Sequence, residues 1–485
     1  MMSSIYFVAL PLLFGFATPI VSKLGKNGVA YTSTLMQASL FLLSLSLILS
    51  TSWHVEVIAI NPPLGISFVL NKASLFFVVL FTFLMTIFSL YYLRLRRVNP
   101  YENENKFFIL INMLLASSIG LVLSSDIFNI YVFFEIAGIT AYILSAYRKT
   151  PKALEAGIKY LLTGMLASVF LIFAIAMIYI YLGSLNLAIL SESFVTLPYN
   201  IKIVITLLLL LGFGLKVEIF PLNFWVSDIY EGSSAPVDAL FSAIVVKAYL
   251  FLFFHILYLF MPNGEFGIFL LYIGALSMLV AEVVALKQTN LKRVFAYSSL
   301  GQVGLIFSVM ALQNSDALIA ALFIILAHSV AKMMLFLAIA SIEQAYQSED
   351  IDILKELSSP FLMVIMFLAM LSLLGIPPLL GFTGKFLALK SFAVSGEFIV
   401  LAMIIIASLI ESIYYFKISG RLLSRERERT ELSLTLGQKS LFTLLALILV
   451  VIGTAPWLIS GSIEQASAAL LDSQSYITAL LGVSS

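Results

Sequence analysis

Residues 210–225 read LLGFGLKVEIFPLNFW. The run enters as an uninterrupted apolar helix, then places Lys216 in its interior. Gly212 and Gly214 loosen the turn before the lysine, and Pro221 withholds a backbone donor five residues after it. The spacing predicts a helix broken inside an apolar layer. A second stretch has the same make-up: residues 373–386 read LLGIPPLLGFTGKF, in which Pro377-Pro378, with Gly375, Gly381 and Gly384, interrupts the run just ahead of Lys385. A lysine just past such a break is expected beside freed backbone carbonyls, which would stabilise its charge and attract water.

The rest of the chain explains what surrounds these breaks. Of 485 residues, 61% are hydrophobic and only 11% charged, with a mean hydropathy of +1.07. Soluble domains carry about 25% charged residues, and so few polar side chains could not coat a soluble core of this size. A soluble enzyme, a DNA-binding protein and a disordered scaffold are excluded, leaving a polytopic membrane protein. Its spans must be helices, because an open sheet cannot satisfy its backbone in lipid. At roughly 20 residues per span, fourteen are expected, near 5–22, 29–50, 73–93, 106–124, 126–146, 156–182, 201–220, 236–260, 266–286, 294–312, 317–341, 358–380, 397–416 and 438–459. Residues 463–481, which mix Glu464 and Asp472 with leucines, are expected to form an interfacial or partner-facing helix. The first run has no lysine or arginine from Met1 to Tyr6 and reads as a retained span rather than a cleaved signal. There is no cysteine, which excludes disulfides, thiolate iron–sulfur ligation and thiol chemistry. Three scattered histidines, His54, His255 and His328, do not make a His-rich metal site.

Basic residues fall into alternate loops: Lys23 and Lys26; Arg94, Arg96, Arg97 and Lys106; Arg148, Lys149 and Lys152; Lys287, Lys292 and Arg293; Lys417, Arg421, Arg425, Arg427 and Arg429. The opposite loops hold little beyond Lys72 and Lys202. The positive-inside rule places the basic loops in the cytoplasm and both termini outside, in a multi-pass protein of the cell membrane.

An ionisable side chain deep in a span is a functional candidate. Glu135 lies mid-way along span five, Lys216 late in span seven, Lys247 within span eight and Lys385 past the break of span twelve. His328 and Lys332 are four apart and share one face of span eleven. His255 is expected to reach the interface at the end of span eight. Glu218, Glu282 and Glu411 are also in or near spans, without a firm role; Glu411 is a candidate partner for a lysine of a neighbouring helix, with the sequence not saying which. Low dielectric disfavours the charged form of such groups, so a row of them linked by water is a proton path. A glutamate that approaches or leaves a lysine switches whether the lysine holds its proton.

The two broken spans are five apart, so the copies cross the membrane in opposite senses, the pattern of an inverted repeat around a transport site. The expected fold class is an all-α polytopic membrane protein of about fourteen transmembrane helices, with two inverted repeats and discontinuous helices seven and twelve. Its parts are 1–105 (helices one to three), 106–262 (first repeat, helices four to eight), 263–420 (second repeat, helices nine to thirteen) and 421–485 (helix fourteen and the C-terminal interfacial helix).

The motifs DIFNIYVFFE (126–135), EAGIKYLLTG (155–164), GLKVEIFPLNFWVSDIYEGSSAPVDALFSAIVVK (214–247), NLKRVFAYSSLGQVG (290–304), AHSVAKMMLF (327–336) and LLGIPPLLGFTGKF (373–386) follow in this order. Through them the chain resembles the antiporter-like membrane subunits shared by complex I-type NADH:quinone oxidoreductases, Mrp-type Na⁺/H⁺ antiporters and archaeal membrane-bound hydrogenase-type complexes. The resemblance spans about helices three to thirteen. It implies that Glu135 is the helix-five glutamate and Lys216 its helix-seven partner. Lys247 would be the central lysine, His328 and Lys332 the helix-eleven relay, and Lys385 the group facing one proton exit. Three positions depart from the family pattern: Asn223 and Gln302 stand where histidines are usual, and Ser234 where a second proline is. Asn and Gln can orient water but not relay protons as histidine does.

The resemblance further implies a subunit that moves protons, with Na⁺ exchange as a second candidate activity, inside a large membrane complex that contains related antiporter-like subunits. No phosphate-binding glycine loop, cluster-binding cysteine set or flavin motif is present, so no cofactor and no metal is expected here, and redox chemistry would belong to partner subunits. Two other readings stand beside this one. A stand-alone secondary transporter for an organic substrate predicts charges gathered in one polar pocket. A divergent, non-pumping scaffold subunit predicts no proton flux.

Overall fold

The computed structural model describes residues 4–25, 27–48, 53–58, 65–96, 101, 103–424 and 430–482. The chain opens with α1 (Tyr6–Val21), α2 (Gly28–Leu47), an antiparallel hairpin of β1 (His54–Ile58) and β2 (Ile66–Leu70), α3 (Lys72–Leu95), α4 (Glu104–Leu123), α5 (Ile127–Ser145) and α6 (Pro151–Leu182). Then come the short α7 (Leu187–Phe194), α8 (Tyr199–Val217), α9 (Val226–Gly232), α10 (Ala235–Leu240), α11 (Val246–Phe260), α12 (Gly267–Ala285), α13 (Leu291–Met310) and α14 (Ser315–Tyr346). The chain ends with β3 (Leu357–Ser358), α15 (Pro360–Leu374), α16 (Leu380–Val394), α17 (Phe398–Leu423), β4 (Thr430–Glu431), α18 (Leu436–Thr454), α19 (Trp457–Leu471) and α20 (Ser473–Leu481).

Among the described residues, 11 helices are long and apolar enough to cross a membrane, counting α10 and α11 as one 26-residue rod, Ala235–Phe260, joined by a π-turn at Phe241–Val245. Of the other expected spans, α1 and α15 are apolar but shorter. The 20-residue α13 carries lysine, arginine, serines and Gln302, and this polar helix is enclosed on nearly every side by the rest of the bundle. The fourteen expected spans thus correspond to helices, with shifted ends. Thr150 caps α6 ahead of Pro151, so this helix starts five residues before the expected 156. Helix α17 runs on to Leu423, which puts Lys417 and Arg421 on a helix rather than in a loop. Of the basic-loop residues, Lys26, Arg97, Arg425, Arg427 and Arg429 lie outside the described residues.

Two expectations are corrected. The C-terminal stretch is two helices broken at Asp472, and it is covered by its own chain: α19 packs on α3 and α14, and α20 on α7 and β1. The inward stripe Ile463, Ala466 and Leu470 is apolar enough to dock there. His255, expected simply to reach the interface, is instead enclosed by protein. It is buried, stacked on Phe251 and edge-on to Tyr476 of α20.

The alternation of loops is visible at the two ends of the bundle. At one end Arg96 donates to Asn27, Lys152 pairs with Glu349 at 3.5 Å, Asn290 donates to Glu349 at 2.8 Å and Arg421 to Asp352 at 2.6 Å. Burial pushes the Glu349 carboxyl up, but Lys292, Asn290 and Lys152 together hold it below the usual carboxylate range. At the other end β1, α7 and α20 meet, and Lys202 pairs with Glu265 at 3.8 Å.

Helix α14 is the pillar of the fold, buried along almost its whole length. It packs on both pieces of one broken span, α15 and α16, as α6 packs on both pieces of the other, α8 and α9. Each break begins with a residue in the left-handed region, Glu218 (φ 68°) after α8 and Gly375 (φ 79°) after α15. Two isolated backbone bridges, Asp126↔Asn186 and Asn290↔Asp350, tie corresponding helix starts to corresponding loops.

Candidate functional site

The site is a row of buried polar side chains through the middle of the bundle. In the first half, Lys216 ends α8 and donates to the Tyr142 hydroxyl of α5 at 2.5 Å. Its ammonium lies over aromatic rings, 4.5 Å from the centroid of Tyr142 and 5.3 Å from that of Tyr160, a placement that favours a cation. Glycines make the space. A Cβ on Gly164 would stand 1.7 Å from the Tyr142 hydroxyl, and one on Gly138 would stand 3.3 Å from the lysine nitrogen. Glu135, two turns before Tyr142, makes no ion pair with Lys216; its charge acts on both Lys216 and Tyr142, and its Oε1 has no hydrogen-bond partner. Lys216 therefore has a tyrosine hydroxyl as its hydrogen-bond partner, with Glu135 near enough for its charge to be felt by both.

Lys247 is fully buried in α11 and donates to the Ser242 carbonyl at 2.6 Å. The π-turn at Phe241–Val245 departs from the ordinary helical bonding pattern just before the lysine, and such turns leave carbonyls for side chains to use. Across from it, His328 meets Ser299 through Nε2 at 3.2 Å, while Nδ1 is unpartnered. Lys332 donates to Ser298 at 2.7 Å and to the Phe295 carbonyl at 2.8 Å, and Ser298 in turn meets the Tyr415 hydroxyl at 2.5 Å. Lys247 and Lys332 are close enough for each charge to be felt by His328. His328 and Lys332 share a helix face as expected but bond to different serines of α13.

In the second half, Lys385 of α16 forms an ion pair with Glu411 of α17 at 2.6 Å. This corrects the expectation that carbonyls freed by the Pro-Pro break hold the lysine: its aliphatic stem instead lies against Gly375, where a Cβ would come within 2.9 Å, and its ammonium reaches a carboxylate. Gln302 completes the cluster, donating to Glu411 at 2.8 Å and to the Leu373 carbonyl at 3.2 Å. Glu282 of α12 accepts from Tyr414 at 2.7 Å, and its other oxygen fills the space beside Gly301, where a Cβ would be 1.9 Å away. Lys216 and Lys385 therefore sit on opposite sides of their breaks, one on the helix before and one on the helix after.

Sequence reasoning missed Tyr142, Ser298, Ser299, Tyr414 and Tyr415, whose hydroxyls link the charged groups. Tyr142 carried a usable signal, since it follows Glu135 by two helical turns on one span. Glu282 was visible as an intramembrane carboxylate but not as the partner of Tyr414, and Glu411 as a candidate partner for a neighbouring-helix lysine, which the structure identifies as Lys385. Asn223 is only half-buried.

Two cavities approach the row. One, of about 660 Å³, opens between α5 and α6 near Lys106 and Lys149 and has Tyr142 in its wall. The other, of about 340 Å³, lies beside Lys385 between α15, α16 and α17 and is mostly apolar. Among the described residues no three His, Asp or Glu side chains converge as a metal ligand set. Chemically, the arrangement offers amines, carboxyls, an imidazole and hydroxyls in series, each able to accept and release a proton.

The sequence profile of the family described as NADH:quinone oxidoreductase/Mrp antiporter, TM, matches residues 124–411. The chain is 29% identical over 431 residues to NADH-quinone oxidoreductase subunit N of Desulforudis audaxviator (strain MP104C), covering 85% of each chain. Among solved structures, a subunit of the membrane-bound sulfane sulfur reductase, an archaeal respiratory membrane complex, superposes with a TM-score of 0.89 at 29% identity, covering 99% of this chain and 100% of that one. A subunit of the Mrp complex from Dietzia sp. DQ12-45-1b superposes with a TM-score of 0.90 at 22% identity over 99% of both chains, a likeness of fold.

Proposed function

We propose, from the premise that this chain belongs to the NADH:quinone oxidoreductase/Mrp antiporter family of membrane subunits, that it is a proton-translocating subunit of a multisubunit membrane complex. The observation that carries this reading is the row of ionisable side chains formed by the half-buried Glu135 and the buried Lys216, Lys247, His328, Lys332 and Lys385, interleaved with hydroxyls and running through both halves of the bundle. Intramembrane charges are tolerated where they pair or meet water, and such rows mark ion pathways. The charges are strung out rather than gathered around one polar pocket, which speaks against an organic substrate. The parallel packing of α6 and α14 on their broken partners supports a division into repeats at 106–262 and 263–420. The partners would be other antiporter-like subunits, with protons as cargo and Na⁺ as the second candidate. The test is proton flux in vesicles holding the purified chain with its co-purifying subunits, driven by a potassium diffusion potential. Flux no greater than in empty vesicles would remove the reading.

Two predictions belong here. Glu135→Gln keeps the shape of the side chain but removes the charge felt by Lys216 and Tyr142. Flux should fall at least about tenfold, the equivalent of on the order of 1.4 kcal/mol in the Lys216 proton equilibrium, with assembly unchanged. Wild-type flux in this variant would show that the charge does not govern Lys216. The end of the bundle carrying Arg96, Lys152, Arg293 and Arg421 is read as cytoplasmic. Reporters fused after Ser424 and after the C-terminus should therefore report opposite faces, cytoplasmic and external in that order; the same face for both would mean a miscounted span.

A further inference from the structure

Glu218 is a buried carboxylate of the first half that the row described above does not use. Glu218 stands where α8 ends, and its backbone is in the left-handed region at φ 68°. Side chains with a Cβ rarely adopt that conformation, which glycine takes freely. At the corresponding break of the second half a glycine occupies it, Gly375 at φ 79°. The first break thus accepts local strain to hold a carboxylate at this point. Residues in such strained conformations persist where the surrounding structure holds them, and they cluster at functional sites.

Glu218 is also buried, at 3% exposure, and its Oε2 finds no hydrogen-bond partner. A buried carboxyl oxygen without a partner is costly unless something passes through the site. Its charge acts on three groups: Lys247, Tyr160 and Tyr230. Tyr160 is the residue whose ring lies 5.3 Å from the Lys216 nitrogen. Glu218 is two residues from Lys216 and its charge is felt by Lys247, and among the described residues it makes ion-pair contact with neither lysine.

We infer that Glu218 is a relay residue that carries protons from Lys216 to Lys247. This rests on the proton-translocating reading above and adds a residue to it. The step balances as follows. An N–H bond of the Lys216 ammonium breaks, and a bridging water accepts that proton while releasing one of its own. An O–H bond forms on the Glu218 carboxylate. This O–H then breaks as an N–H forms on the neutral amine of Lys247. Lys216 ends neutral and Lys247 charged, while the bridging water and Glu218 end as they began. Glu218 acts as the stage at which a proton waits, and its unpaired oxygen is the atom that carries it.

The test uses the full chain with its co-purifying subunits in vesicles under a potassium diffusion potential. Glu218→Gln should lower proton flux by about tenfold or more, the scale of losing one positioned proton-transfer group, in a complex that assembles and melts like wild type. Glu218→Asp, which keeps the acid but withdraws it by one methylene, should lose several-fold less. Infrared difference spectra of the wild type should contain a protonated-carboxyl band that shifts in D₂O and is missing from Glu218→Gln, a signature that a purely structural role would not produce. Lys247→Ala is run beside these. If it abolishes flux while assembled Glu218→Gln retains wild-type flux and the carboxyl band, Glu218 is not a relay and the broader reading stands. If Lys247→Ala also conducts like wild type, the broader reading fails first. Should Glu218→Gln not assemble, full flux in Glu218→Asp together with no deuterium-sensitive carboxyl band in the wild type overturns the inference.

Discussion

Lys385→Ala is expected to abolish proton flux and to destabilise the chain. Lys385 and Glu411 form an ion pair at 2.6 Å in which Glu411 is fully buried. Removing one partner of a buried pair leaves the other charge uncompensated, at a cost of about 3–5 kcal/mol. Gln302 donates one bond to Glu411, which offsets part of that cost but cannot supply a proton. The two effects can be separated. In Lys385→Ala with Glu411→Gln, no buried charge is left unpaired, so thermal stability in detergent should recover most of the loss while flux stays near zero. If flux recovers along with stability, the pair is structural and the last proton step lies elsewhere. If Lys385→Ala alone melts and conducts like wild type, the ion pair contributes neither stability nor transport.

Lys247→Met is expected to do the opposite to stability and the same to flux. The lysine is fully buried, yet among the described residues its only hydrogen bond is to the Ser242 carbonyl at the π-turn. Methionine fills a similar volume with no charge to bury, and replacing a buried charge by a well-packed apolar side chain is often neutral or stabilising. The melting temperature should therefore hold or rise. Flux should fall by about 10² or more, because the variant has no exchangeable group between the Lys216 side and the His328 side. Substantial flux through Lys247→Met would show that protons cross between the halves by another route.

The site was legible to different depths in its two halves. On the first, the residues that define the chemistry stand close in sequence: Glu135 and Tyr142 on one span, Lys216 and Glu218 at one break. Spacing alone could rank them, although it did not single out the tyrosine hydroxyl that Lys216 bonds. On the second, the contacts join distant positions. Lys385 meets Glu411 from 26 residues away, Tyr414 meets Glu282 from 132 and Gln302 meets Glu411 from 109. No periodicity in one helix encodes which neighbour it will face. The same gap explains the C-terminal helices. Their mixed composition suits an interface, but the apolar stripe of α19 finds its partner in α3 and α14, far earlier in the chain.

By itself, the sequence determined that this chain lives in a membrane, how many spans it has, where two of them break and which ends of the bundle share their loops. Those properties follow from local physics: the length of apolar runs against bilayer thickness, proline and glycine against helical hydrogen bonding, and lysine and arginine against translocation. Tertiary structure alone decided which buried charge meets which partner. It gave Lys216 the Tyr142 hydroxyl and Lys385 a carboxylate instead of a carbonyl, and left a buried oxygen of Glu218 without a hydrogen-bond partner. Such pairings depend on how helices rotate and cross as their side chains interlock, and that is settled only when the whole bundle packs.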